Sequence, residues 1–166
     1  MDLNVFYTAL AATAATLLGL LFVAIQLNVN RLAGDPRSRW KALALSSFHS
    51  FTLVLTMALF AFVPRYWPIA LLLAPLLGMW RQVQTWLPFW QLSSSGRLER
   101  LHETFWLLIG PALIYLGLMA SGLRMLLAGS DADTQANTAT CFIILLAILL
   151  RNSWRLLVEA PQEETN

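Results

Sequence analysis

The chain has 166 residues, of which 58% are hydrophobic and 12% charged, about half the charged fraction of an ordinary soluble domain. A net charge of +2, with basic residues in short clusters beside apolar runs, excludes nucleic acid as a partner; a single cysteine, Cys141, excludes an intrachain disulfide or a cysteine metal cluster. What remains is an all-α integral membrane protein, one transmembrane domain over residues 1–166 with a bundle of five transmembrane helices.

The first span, residues 6–30, carries no charge and is long enough at ~1.5 Å rise per residue to cross a hydrocarbon core ~30 Å thick. It lacks a basic leader and is too long for a signal-peptide core, so it is expected to be retained. Thr8, Ala12, Ala15, Gly19, Phe22 and Gln26 recur at steps of three and four and share a face that is small and then polar. Small side chains let helices approach closely in lipid, so Ala12, Ala15 and Gly19 are expected to pack against protein.

Arg31 to Lys41 holds four basic residues, a glycine and a proline, which mark a solvated connection. The second span, residues 42–63, is closed by Pro64 to Pro68, a turn that makes spans two and three a hairpin. The third, residues 68–90, has an apolar run from Ile69 to Trp80 that is short for a span and contains Pro75. It is expected to be short and kinked, or extended past Arg81 at the cytoplasmic side. Ser93 to Gly96 break the pattern. The fourth span, residues 104–127, has a kink signal at Gly110-Pro111 and a small face of Gly117, Ser121 and Gly122. Gly129 to Asn137 reads as a polar turn, and the last span, residues 138–157, emerges from the bilayer near Arg151.

Short cytoplasmic loops retain Lys and Arg, which sets the orientation. Five spans put Arg31, Arg37, Arg39, Lys41, Arg81, Arg97, Arg100, Arg151 and Arg155 on one side, against Arg65 and Arg124 on the other. The N-terminus is therefore expected outside and the C-terminus in the cytoplasm.

His49, Thr52 and Thr56 form a polar stripe on the second helix, at a depth where an ionisable residue is a functional candidate by default. The plain alternative is a neutral imidazole bonded to a neighbouring helix, with hydroxyls bonded back to their own carbonyls. Arg81, Gln82 and Gln84 approach the same level, as do Gln26 and Asn30, and together they would line a vestibule open to the cytoplasm; alternatively Arg81 snorkels to the headgroups. Glu103 suits a helix N-terminus. His49 and His102 lie at different depths, which argues against a bis-histidine haem, and no cofactor is expected. No nucleophile elbow, zinc motif, phosphate loop or intramembrane aspartate pair is present, so no catalytic residue is assigned and the chain is not expected to be an enzyme.

The run from Ala15 to Asn28, ATLLGLLFVAIQLN, resembles the opening helix of small uncharacterised multi-pass bacterial inner-membrane proteins. The resemblance covers that helix alone; it implies a bacterial inner membrane and supplies no activity. The functional expectation is a small homo-oligomeric ion channel or transport protein with a positively biased cytoplasmic vestibule. Its lining would come from Thr8, Gln26, Asn30, His49, Thr52, Thr56, Arg81, Gln84 and Glu103, with anions or anionic lipid headgroups as occupants. The alternative is a non-catalytic scaffold or accessory subunit, for which the same residues are packing glue. Ala12, Ala15, Gly19, Gly117 and Ser121 are the expected helix-packing positions, partly for self-association within the lipid bilayer.

Overall fold

The structure, a computed structural model, describes residues 3–27, 39–92 and 109–158. All regular structure among them is helical: α1 Leu3–Leu27, α2 Arg39–Phe60, α3 Trp67–Leu92, α4 Gly110–Ala128 and α5 Ala132–Val158. Four of these, all but α3, are long and apolar enough to cross a membrane. In α3 the helix continues through Arg81, Gln82 and Gln84, which interrupt its apolar run. Asn30, His102, Glu103 and the start of the fourth span lie outside the described residues, as does the segment preceding the Gly110-Pro111 kink signal.

Two turns set the bundle's direction. Residues 61–66 reverse the chain between α2 and α3 through bonds such as Val63 N–H to the Phe60 carbonyl at 2.9 Å. Gly129 closes α4 at φ 85°, the only positive φ among the described residues and a conformation that disfavours a Cβ, and its N–H returns to the Met125 carbonyl at 3.1 Å. Asp131 then accepts the Thr134 N–H at 2.7 Å, a capping bond that starts α5 at Ala132, six residues ahead of the expected Thr138. The Thr134 hydroxyl and backbone N–H, with the Arg124 guanidinium at 2.8 Å, hold the Asp131 carboxyl below the usual carboxylate range. A polar run thus becomes helix because its aspartate caps rather than coils.

Gly122 lies against Pro68 and Leu71, so the end of α4 sits beside the start of α3 and both turns share one end of the bundle. Tyr7, near the start of α1, meets Trp67 edge-on at 5.2 Å, and Trp67 stacks on Phe142 of α5 at 6.3 Å, which brings α1 and α5 to that same turn end. The opposite end carries Lys41, Arg81, Arg151 and Arg155 and is the basic end. α2 is the central helix, packed on α1, α3 and α5, while α4 completes the bundle against α3 and α5. Its core is a column of Phe51, Val54, Met57, Leu71, Tyr115, Leu118, Phe142 and Leu145.

Outside that column the surface stays apolar all round. Leu20, Val23, Leu59, Leu73, Leu116, Leu123, Ile143 and Leu150 are all exposed, a spread of large apolar side chains over every helix that is compatible with a lipid surround. The small faces are used unequally. A Cβ on Gly117 would stand 3.1 Å from Cys141 Sγ, Ser121 accepts from Asn137 Nδ2 at 3.0 Å, and Gly122 abuts the α3 backbone. The expected single small face of α4 is therefore divided between α5 and α3. On α1 the buried positions are Tyr7, Leu10, Ala14, Leu21 and Ala24, whereas Ala12, Ala15 and Gly19 point away from the bundle, with nothing within 4 Å of a Cβ on Gly19.

Candidate functional site

The central position of α2 makes its polar residues the ones that meet other helices. Its sequence places Ser46, Ser50 and Ser47 toward the interior and His49, Thr52 and Thr56 along an adjoining edge, about 100° round the helix. The interior serines bond across helices. Ser46 Oγ donates to Gln82 Oε1 of α3 at 3.0 Å, and Tyr115 of α4 donates its hydroxyl to Ser50 Oγ at 3.0 Å. Gln82 and Ser50 are 5% and 3% exposed, so each bond sits in a low-dielectric setting where losing it would leave a stranded polar atom. These pairs tie α3 and α4 to the central helix at the level of the edge residues.

The edge residues bond locally. His49 is half-buried and gives its Nδ1–H to the Leu45 carbonyl at 2.7 Å, because a carbonyl only accepts, which leaves Nε2 as the ring's remaining polar atom. Thr52 donates to the Phe48 carbonyl at 2.9 Å and Thr56 to the Thr52 carbonyl at 2.8 Å. With both hydroxyls turned onto their own helix, the threonines offer mainly methyl groups outward. The stripe that reads as polar in sequence is largely dry in the fold.

Between α2 and α3 lies a groove of about 250 Å³, lined by His49, Thr52 and Thr56 on one wall and Ala74, Gly78 and Arg81 on the other, with Leu53 and Leu77 completing it. The two helices pack closely beside it: a Cβ on Gly78 would come 2.6 Å from Leu53 Cδ1. The helices run antiparallel across the 61–66 turn, so His49 and Arg81 fall at the same, basic end and Thr56 and Ala74 toward the middle. Gln84 is exposed one turn beyond Arg81 and is not part of the lining.

Of the sequence candidates, His49, Thr52, Thr56 and Arg81 are thus brought together. Thr8 and Gln26 are exposed on α1, which does not line the groove, and the Thr8 hydroxyl is bonded to the Asn4 carbonyl at 2.7 Å. Sequence reasoning missed Ser46, Ser47, Ser50 and Asn152, although the i, i+4 spacing of Ser46 and Ser50 was a usable signal. Ser47 and Asn152, 1% and 4% exposed, leave Oγ and Oδ1 without a hydrogen-bond partner toward the basic end of α2 and α5. Among the described residues no group of three or more His, Cys, Asp or Glu is placed to hold a metal. No protein family, curated protein or solved structure matches this chain. The site is therefore read from its own chemistry.

Proposed function

We propose that this is a non-catalytic, multi-pass membrane protein of the transport type, which recognises a negatively charged ligand in the groove between α2 and α3. The observation that carries the reading is the convergence of His49 and Arg81, from two helices, on the basic end of one otherwise apolar groove. An ionisable side chain in an intramembrane cleft is a functional candidate by default. In this reading the basic end faces the cytoplasm of a bacterial inner membrane, with the N-terminus outside, and α3 is the fifth span, its last turns projecting from the bilayer. The exposed face of Ala12, Ala15 and Gly19 on α1 joins copies of the chain into a homo-oligomer. An ion-conducting form needs that oligomer, since Thr8 and Gln26 reach a shared path only between copies.

The second reading, a scaffold or accessory subunit, is favoured by the Thr52 and Thr56 hydroxyls, which bond within α2 as packing residues do. Reconstitution separates the two. Liposomes containing the oriented protein should take up a labelled organic anion, and Arg81→Gln should slow uptake about tenfold, the factor expected for one charged hydrogen bond. Equal uptake by wild type and Arg81→Gln refutes the groove as the path, and absence of uptake by both supports the scaffold.

A further inference from the structure

The walls of the groove hold few groups that could greet an anion. The Thr52 and Thr56 hydroxyls donate to the Phe48 and Thr52 carbonyls, and Leu53, Ala74, Leu77 and Gly78 bring no polar side-chain atom. The Arg81 guanidinium is already engaged in an interaction of its own. At His49 the Nδ1–H goes to the Leu45 carbonyl at 2.7 Å, a bond that the neutral and the cationic ring can both make. Only Nε2 changes character with protonation. On the neutral ring it is a lone pair, which an anion avoids; on the cationic ring it is a charged N–H donor, which an anion seeks.

Resting on the reading of the groove as an anion path, we infer that His49 is its proton-binding residue and that each anion passes together with one proton. Hydronium on one side gives a proton to Nε2, and the new N–H donates to the anion. On release Nε2 returns that proton to water on the other side, while Nδ1 keeps its bond to Leu45. A monovalent anion then crosses without net charge, which lowers the cost of an apolar passage. By linkage, protonation raises the affinity of His49 for the anion by the same factor as the bound anion raises its affinity for the proton. The ionisable side chains toward the same end are Arg81 on α3, Tyr115 on α4, Arg151 and Arg155 on α5 and Lys41 on α2 itself. Tyr7 of α1, Asp131 and Asp133 stand at the turn end, and Cys141 lies against Gly117 of α4. Imidazole is the side chain whose charge ordinarily changes between about pH 5 and 8, and His49 is the one histidine among the described residues.

Uptake of radiolabelled benzenesulfonate by liposomes containing the full chain and an entrapped pH-sensitive dye tests the inference, because a sulfonate stays ionised throughout the range used. With equal pH on both sides, uptake should be about tenfold faster near pH 5.5 than near pH 7.5, as the protonated fraction of an ordinary imidazole changes over that interval. The dye should report one proton entering with each sulfonate. His49→Gln, whose amide donates at every pH, should carry sulfonate at a pH-independent rate without protons, and His102→Gln should behave as wild type; unchanged helix content and native mass control for folding. Wild-type uptake that ignores pH and brings no protons overturns the inference and leaves the groove as an anion path. Proton-coupled uptake that survives in His49→Gln also overturns it. No uptake by wild type at any pH removes the anion reading as well.

Discussion

Two glycines that look alike in the sequence should respond oppositely to the same substitution. Gly122→Ala would place a Cβ 2.8 Å from Leu71 Cβ, 3.0 Å from the Pro68 carbonyl oxygen and 3.1 Å from the Leu71 carbonyl carbon. Two of those three atoms are backbone, so α4 must move away from α3 as a unit. Overpacking of this kind costs ~1–3 kcal/mol, against a gain of at most ~1 kcal/mol from replacing glycine inside a helix, so a net loss of roughly 1–2 kcal/mol is expected. Gly19→Ala meets nothing within 4 Å and should be neutral or gain up to ~1 kcal/mol. Unfolding of the detergent-solubilised protein by increasing dodecyl sulfate, followed by circular dichroism, reads both variants on one scale. Gly122→Ala should unfold at clearly lower dodecyl sulfate, and Gly19→Ala at or above the wild-type midpoint. Wild-type resistance in Gly122→Ala would refute the close α3–α4 contact on which the alignment of the two turns rests.

The buried serines predict a second contrast: Ser46→Ala strips the hydroxyl donor from Gln82 Oε1 and should cost roughly 0.5–2 kcal/mol in the same assay, while Ser47→Ala removes a hydroxyl with no partner and should be neutral or stabilising. Ala15→Leu or Gly19→Leu should leave the single-chain fold intact but lower the native mass, if the outer face of α1 joins copies; unchanged mass in mild detergent would place the interface elsewhere. The Asp131 carboxyl titrates below its unfolded value, so its stabilising contribution is present above that value, near pH 4, and fades as pH falls through the folded one. Asp131→Asn, which keeps a capping side chain, should flatten this acid limb of the stability curve, and an unchanged limb would assign it to other carboxylates.

The apolar periodicity made the helices legible, because runs of this length have few alternatives in lipid and each described helix overlaps a span read from the sequence. The helix ends were less so. Asp131 looks like part of a polar loop until its bond to Thr134 shows it starting α5. For the site, the sequence gives His49, Thr52 and Thr56 a common face by spacing, but spacing says nothing about where hydroxyl protons go, and the bonds to Phe48 and Thr52 carbonyls turn a wet-looking stripe dry. The hairpin read at Pro64 to Pro68 already puts Arg81 at the level of His49, whereas their lining one groove depends on how α2 and α3 pack, which local pattern does not encode. Tyr115 bonds to Ser50 within a turn of His49, because Gly78 leaves room for its ring between α3 and α4, a contact that no spacing in either helix encodes.

The central claim is that these helices cross a membrane with the His49–Arg81 end in the cytoplasm, and cysteine accessibility tests it most directly. In a Cys141→Ala background, single cysteines at Lys41 and Ser130 stand at exposed positions on opposite ends of the bundle. A membrane-impermeant maleimide applied to intact spheroplasts should label Ser130→Cys at once and Lys41→Cys only after permeabilisation. Labelling of both from outside, or of Lys41→Cys alone, would contradict the account.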